Sequence, residues 1–198
     1  MADSRFPVTE LDELPDDLRE RIGVIAQKSG FMPNIFRALG HRPAELRAFL
    51  DYHDALMDRQ DGLSKAEREL VVVATSGANH CTYCVVAHGA ILRIRSKDAQ
   101  LADRVAVNPW QVELDDRQRA IVDLALALTR RPEMFGDADV ARARSAGLTE
   151  DEIWDIGAIT ALFAASNRLA HLAALRPNPE FYAMGRDGRT TAPGPAGT

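Results

Sequence analysis

Hydrophobic residues recur along most of the chain at the three- and four-residue spacing of amphipathic helices. In the segment that begins at Pro43, the apolar positions are Leu46, Phe49, Leu50, Leu56 and Met57. The run that would suit a strand, Val71-Val72-Val73, lies inside a capped helical pattern with no partner strand, and we interpret it as buried helix. The pattern predicts an all-α protein of about eight helices.

Capping residues, prolines and glycines divide this pattern into elements. Eight predicted helices begin near residues 15, 43, 64, 79, 96, 115, 137 and 149, and residues 33–39 suit a short additional helix. Ser64 with Glu67, and Thr149 with Glu152, form two capping boxes, in which the side chains at both ends of a first turn bond to backbone amides. Each box opens an apolar helix. Two packed helical-hairpin repeats would produce this pattern, but capping boxes are common, and we do not predict a repeat from it.

The composition is typical of one globular domain. The chain has 198 residues, and 24 Lys+Arg against 29 Asp+Glu give a net charge of −5. A mildly acidic chain without a basic run is a poor candidate for binding nucleic acid. We predict a single helical domain over residues 1–184. Residues 185–198 have almost nothing to bury and are predicted to be a disordered tail.

Membrane and export signals are weak in this sequence. The most apolar stretch, from Ile156 to Ala165, is shorter than a bilayer span requires. The N-terminus lacks the basic start and apolar core of a signal peptide. We therefore expect a cytoplasmic protein with no membrane partner, and the apolar helices of so short a chain predict a homo-oligomer.

The candidate chemistry is concentrated in the stretch that holds both cysteines. Cys81 and Cys84 form a C-x-x-C pair, and Asn79 is predicted to cap a helix that places both thiols in its first turns. The free amides and the dipole of a helix start stabilise a thiolate, which is the reactive form. His88 follows Cys84 by one turn on the same face, so its imidazole can hold or relay the thiol proton. Glu69, on the preceding helix, can orient that histidine.

Other interpretations of the cysteine pair stay open at this point. Two cysteines in a helix can be small buried apolar residues. A zinc ion could use Cys81, Cys84 and His88 together with the adjacent His80. Structural zinc sites usually take a second ligand pair from a distant segment, whereas these four residues lie close together, so we expect no metal. A thioredoxin-type site needs a βαβ unit, which the pattern does not contain.

The remaining conspicuous side chains have ordinary structural interpretations. His53 lies on an apolar helical face and suits core packing, and His171 suits core packing or pairing with a helix C-terminus. Asn167 and Arg168 suit hydrogen bonds between helices or a contact between subunits, and we favour the first. Trp110 and Trp154 are interpreted as core or interface positions.

The spacing Glu-x11-Cys-x2-Cys-x3-His resembles the signature of the alkylhydroperoxidase D (AhpD-like) family of the carboxymuconolactone decarboxylase superfamily. The matching residues are Glu69, Cys81, Cys84 and His88. The segment MPNIFRALGHRPAELRAFLDYHDALM, the NHCTYC box and the late helix that ends in NRLA resemble its peroxidase-related branch. The resemblance covers about residues 10–185. It implies an AhpD-like fold with the C-x-x-C at the start of a central helix, and an assembly of three or six subunits.

The resemblance also implies a peroxiredoxin-type antioxidant enzyme that needs no cofactor and no metal. Cys84 would attack a small hydroperoxide and become a sulfenic acid. Cys81 would supply a proton and then resolve that acid into a Cys81–Cys84 disulfide. Glu69 and His88 would form the proton relay, and a separate, unidentified thiol donor would restore the dithiol.

One position departs from the best-described members of this family, which carry a histidine where this chain has Tyr83. A phenol with a pKa of about 10 does not shuttle protons at neutral pH, although it can hydrogen-bond a peroxide oxygen. His80 could compensate. Tyr83 and His80 are therefore auxiliary candidates.

Two further functions stay open. The first is a lactone-processing or decarboxylating enzyme on the same fold, which would not depend on a cysteine pair. The second is a redox-sensing oligomer in which the disulfide changes the assembly without turnover.

Overall fold

The computed structural model describes residues 4–186, and all regular secondary structure in this part of the chain is helical. The helices are α1 (Asp16–Ser29), α2 (Asn34–Leu39), α3 (Pro43–Met57), α4 (Lys65–Ala78), α5 (Thr82–Ser96), α6 (Leu101–Val107), α7 (Asp116–Arg130), α8 (Asp137–Ser145), α9 (Glu150–Ala173) and α10 (Glu180–Ala183). Short 3₁₀ helices occur at Leu11–Glu13, Pro109–Gln111 and Pro132–Met134. Eight of the α-helices have seven residues or more, which confirms the predicted class. None of those in the described part is long and apolar enough to cross a membrane.

Both predicted capping boxes are present. The Ser64 Oγ accepts a hydrogen bond from the Glu67 amide at 3.2 Å, and the Ser64 amide donates to Glu67 Oε2 at 2.7 Å. Thr149 and Glu152 repeat this pattern at 3.3 Å and 2.9 Å. The guanidinium of Arg117, on α7, bridges the two boxes, at 2.7 Å from Glu67 and 2.5 Å from Glu152. The starts of α4 and α9 are thus tied to the same side chain.

Two predicted helix starts are wrong. Asn79 does not cap α5; it is the C-cap of α4, and Cys81 is the N-cap of α5. The chain reverses between the two helices at His80, which has the left-handed φ of 54°. The next helix, α6, begins only at Leu101, because Lys97 also adopts a left-handed φ of 58° and ends α5.

The central helix is α4. Every residue from Arg68 to Ser76 is buried, and α4 packs against α5, α6, α7 and α9. The Val71-Val72-Val73 run lies in this stretch, which confirms its interpretation as buried helix. Because α5 starts immediately after α4, the cysteines lie beside the best-packed helix of the molecule.

The two tryptophans lie at the surface. Trp110 is 58% exposed and Trp154 is 76% exposed, so the interpretation of either as core is wrong. The guanidinium of Arg130 lies 4.5 Å from the centroid of the Trp110 ring, where the ring face attracts a cation. The interface interpretation stays a prediction.

The predicted tail falls mostly outside the described residues, which end at residue 186. Its described part contacts the helical body, because Arg186 donates a hydrogen bond to Asp103 at 2.7 Å. The domain boundary at residue 184 stays a prediction.

Candidate active site

Both thiols lie at the N-terminus of α5 and are deeply buried. Cys81 is the N-cap and Cys84 is the third residue of the helix, and they are 1% and 2% exposed. Both are free thiols. The apolar cluster around them includes Ala38 from α2, Ala170 from α9 and Phe181 from α10. Three helices therefore cover the cysteine pair.

The two thiols differ in acidity. The pKa of Cys81 falls from 9.0 to about 6, first because the Cys84 thiol hydrogen-bonds to its sulfur. The backbone amide of Cys84 and the charge of His171 lower it further, against the effect of burial. The pKa of Cys84 is raised well above its ordinary value by the same shared hydrogen bond, by burial and by the charge on Cys81. Of the two residues, Cys81 therefore favours the thiolate and Cys84 favours the protonated thiol.

Glu69 and His88 meet between α4 and α5. The Glu69 Oε2 lies 2.8 Å from the His88 Nδ1, and both side chains are largely buried. The His88 ring also packs edge-on against Phe163, with 4.6 Å between ring centroids. A carboxylate on Nδ1 fixes the tautomer of the imidazole and leaves Nε2 for proton exchange. His88 follows Cys84 by one turn of α5, which puts both side chains on the same face.

A second histidine lies beside this pair. The His53 and His88 ring centroids are 6.4 Å apart. His53 is half-buried rather than enclosed in the core, and its Nδ1 lies 3.0 Å from an Asp54 oxygen. Arg21 donates to the other oxygen of Asp54 at 2.7 Å. The polar contacts from His53 through Asp54 to Arg21 lead towards the surface, and His53 meets His88 by ring packing.

Helix α9 supplies two polar residues that sequence reasoning did not place at the site. The Ser166 Oγ lies 3.9 Å from the Cys84 Sγ. The Asn167 Nδ2 donates to the Ser76 Oγ at 3.1 Å, and the Asn167 Oδ1 accepts from the Asn79 Nδ2 at 2.9 Å. These bonds confirm the interpretation of Asn167 as a link between helices. The sequence carries no local signal that Ser166 lies near the thiols, because it is 82 residues from Cys84.

The auxiliary candidates have other surroundings. His80 is exposed in the turn between α4 and α5. The Tyr83 hydroxyl accepts a hydrogen bond from the Ile35 amide at 3.0 Å, and burial raises the pKa of this phenol well above its ordinary value. Tyr83 thus fastens α2 over the cysteines.

His171 pairs with a helix C-terminus, as one of its two interpretations expected. It is exposed rather than part of the core. Its Nε2 lies 3.0 Å from the carbonyl oxygen of Asn79, which is the C-cap residue of α4. Residues 4–186 contain no group of three or more His, Cys, Asp or Glu side chains arranged to hold a metal ion.

The fold and the site together define a class of all-helical proteins with a buried C-x-x-C pair beside a Glu–His pair. A family model described as the carboxymuconolactone decarboxylase family matches residues 43–108, which contain all four of these side chains. The chain belongs to the AhpD-like family of the carboxymuconolactone decarboxylase superfamily, as similarity to solved structures also shows. A search of curated proteins found no match.

Two of the solved structures are close in sequence. The first is the alkylhydroperoxidase AhpD core of an uncharacterized peroxidase-related protein from Ralstonia eutropha, at 53% identity and a TM-score of 0.91, covering 94% of this chain and 98% of that chain. The second is an uncharacterized peroxidase-related protein from a Silicibacter species, at 36% identity and a TM-score of 0.86, covering 94% and 100%. The debrominase Bmp8 shares the fold at 18% identity and a TM-score of 0.74, covering 96% and 98%.

Proposed function

We propose that this protein is a thiol-dependent oxidoreductase that reduces small hydroperoxides with the Cys81–Cys84 dithiol. The observation that carries the proposal is the pair of free, buried thiols at the start of α5. The neighbouring Cys84 thiol and the Cys84 backbone amide lower the pKa of Cys81 to about 6. Burial alone would raise the pKa of both thiols, so a thiolate at neutral pH is a property of reactive cysteines. The peroxidase-related names of the two close relatives support the same class.

In the proposed first step, Cys84 is the nucleophile. As the AhpD-like resemblance implies, the Cys84 thiol passes its proton to the neighbouring Cys81 thiolate, and the negative charge then lies on Cys84. The Cys84 thiolate then attacks the terminal oxygen of the hydroperoxide, and the O–O bond breaks. The leaving alkoxide takes the proton from Cys81. The products are an alcohol and the sulfenic acid of Cys84.

In the second step, the Cys81 thiolate attacks the sulfur of that sulfenic acid. The S–S bond forms, the S–O bond breaks, and the departing hydroxide takes the Nε2 proton of the His88 imidazolium to leave as water. The imidazole regains that proton from solvent. Glu69 keeps the imidazole oriented for this transfer through its bond to Nδ1. Two electrons have then moved from the dithiol to the hydroperoxide. An external thiol donor returns them by thiol–disulfide exchange.

The surroundings of the thiols limit what can reach them. Both cysteines are almost fully enclosed beneath α2, α9 and α10, which favours a small hydroperoxide over a bulky one. The assembly of three or six subunits and the cytoplasmic location stay predictions. Exposed apolar side chains such as Trp154 and Val107 support self-association.

A free-thiol count tests the proposal. Reduced, metal-free protein is treated with one equivalent of an organic hydroperoxide, and the thiols are counted before and after. We expect the wild type to lose two thiols rapidly and Cys84→Ser to keep Cys81 for much longer. The same wild-type protein, unfolded in denaturant, is the control, because its cysteines have ordinary acidity and should react slowly.

Survival of both thiols in the folded wild type would reject the proposal. A lactone-processing activity or a structural disulfide would then be the better hypothesis. A brominated pyrrole is a useful second oxidant in this assay, since one structure that shares the fold is a debrominase in complex with 2,3,4-tribromopyrrole. Thiol loss with bromide release, and none with the hydroperoxide, would replace peroxide reduction by reductive dehalogenation.

A further inference from the structure

Asn167 is the centre of a buried polar network that the proposed reaction does not use. The residue is 1% exposed on α9. Its Oδ1 accepts a hydrogen bond from the Asn79 Nδ2 at 2.9 Å, and its Nδ2 donates to the Ser76 Oγ at 3.1 Å. The preceding residue, Ser166, lies 3.9 Å from the Cys84 sulfur. This turn of α9 therefore faces the thiols.

The hydrogen bonds to Asn79 and Ser76 use only some of the hydrogen-bonding groups of the Asn167 side chain. A side-chain amide has one oxygen and two N–H groups. Asn79 occupies the oxygen and Ser76 accepts one N–H, while no oxygen within residues 4–186 accepts the second. An N–H buried without a partner is unfavourable. The Cys81 amide donates to the carbonyl oxygen of Ser76 at 2.9 Å, so Cys81 adjoins a residue that anchors the Asn167 amide. Asn167 also lowers the pKa of Cys81 and of Cys84, after several larger causes.

We propose that Asn167 is a fixed hydrogen-bond donor to whichever of the two sulfurs carries the negative charge. Asn79 and Ser76 are then the positioning residues that aim its amide. The inference rests on the proposed dithiol function, in which the charge moves from Cys81 to Cys84 and back. A donor that reaches both sulfurs stabilises each thiolate in turn without rearranging. A carboxamide does not change its protonation state near neutral pH, so Asn167 can donate this hydrogen bond throughout the titration.

Two titratable groups also act on Cys81 and must be separated from this effect. They are Cys84, on the same helix, and His171, on α9. His171 also contacts the carbonyl oxygen of Asn79, so a change at Asn79 can disturb it. Each variant is therefore measured again in a His171→Gln background.

The experiment follows the ultraviolet absorbance of the thiolate against pH in reduced protein without peroxide. The wild-type midpoint is expected near the Cys81 pKa of about 6. In Asn167→Ala we expect the acid dissociation constant of Cys81 to fall about tenfold, because one hydrogen bond to an ionised group is lost. In Asn79→Ala, the amide of Asn167 remains but is no longer aimed, and we expect a smaller change in the same direction.

Thr160→Val is the matched control. Thr160 is a buried polar residue of the same helix, and its hydroxyl has no hydrogen-bond partner within the described residues. Its replacement should leave the midpoint unchanged. If folded Asn167→Ala also keeps the wild-type midpoint, the inference is wrong. If Asn167→Ala does not fold, the thiolate midpoint of Asn79→Ala is the test, and an unchanged midpoint in that variant overturns the inference.

The outcome is independent of peroxide turnover, since no oxidant is present. A midpoint that rises as expected, in a protein that fails the thiol count with hydroperoxide, would support the role of Asn167 and reject the proposed function. An unchanged midpoint in a protein that reduces hydroperoxide would support the proposed function and reject the role of Asn167.

Discussion

Two adjacent residues of α4, Arg68 and Glu69, enter two buried polar clusters with opposite properties. The Arg68 guanidinium donates to the carbonyl oxygens of Leu63 and Asp61, and lies 3.7 Å from the Asp155 carboxylate on α9. Glu69 instead bonds to a histidine next to the cysteine pair. Both clusters are buried between α4 and a neighbouring helix.

The clusters differ in whether their protons can move. Arg68 keeps its charge at any working pH, and Arg59 and Arg68 oppose the effect of burial on the pKa of Asp155. In the other cluster Glu69 bonds to His88, and the pKa of the nearby Cys81 is lowered to about 6. Burial of polar groups therefore does not by itself mark a functional site. A functional assignment needs groups that exchange protons near neutral pH, and the predictions below test this distinction.

The largest expected effect is on catalysis, at Glu69. In Glu69→Gln the carboxylate that orients His88 is lost, and we expect hydroperoxide-driven disulfide formation to slow about 100-fold or more. Stopped-flow loss of thiols measures this rate. Glu67→Gln is the matched control, because this carboxylate lies two residues earlier on α4 and contacts Arg117 instead. Equal rates for the two variants would contradict a relay through Glu69.

Arg68 should affect stability instead. Arg68→Met leaves Asp155 buried without one of its partners, and we expect the free energy of unfolding to fall by about 3–5 kcal/mol. Denaturant unfolding measures the change. The thiolate midpoint of the folded variant should stay near that of the wild type. A shifted thiolate midpoint in Arg68→Met, with an unchanged free energy of unfolding, would show that the two clusters do not differ in this way.

A smaller effect is expected at Tyr83. Tyr83→Phe leaves the Ile35 amide without its acceptor, and we expect a loss of about 1–3 kcal/mol in unfolding free energy. Because this bond holds α2 over the cysteines, alkylation of the thiols should also become faster. The exposed Tyr52→Phe is the control. Slower peroxide reduction with unchanged alkylation would instead indicate that the phenol acts on the substrate.

The smallest effects are expected at the two helix starts. Ser64→Ala and Thr149→Ala each remove a side-chain cap and should lower the unfolding free energy by about 1 kcal/mol. Because the two boxes are alike and both lie away from the thiols, neither variant should change the thiolate midpoint. A changed midpoint in Ser64→Ala alone would mean that the start of α4 belongs to the site.

The sequence predicted what depends on local spacing. The helix of α4, its capping box and the C-x-x-C at the start of the next helix all follow from residues close together in the chain. Asn79 was misplaced because a left-handed residue, His80, ends α4 later than the cap pattern indicates. The surface positions of Trp110 and Trp154 depend on packing between distant helices, which periodicity does not encode.

The polar contacts from α9 show the same limit at the site. Asn167 could be predicted to link helices, because a buried amide needs partners. The position of Asn167 near the cysteines could not be predicted, because it depends on how α9 crosses α4 and α5. The spacing of Cys81, Cys84 and His88, by contrast, lies within a single helix and its cap.

Trapping of a sulfenic acid with dimedone in Cys81→Ser shows whether Cys84 is the residue that attacks the hydroperoxide. This variant keeps the proposed nucleophile and lacks the residue that would resolve its sulfenic acid. After one equivalent of hydroperoxide, we expect one dimedone adduct on Cys84 in Cys81→Ser, and none in the wild type, where the disulfide forms first. An adduct on Cys81 in Cys84→Ser, with none on Cys84 in Cys81→Ser, would contradict the account.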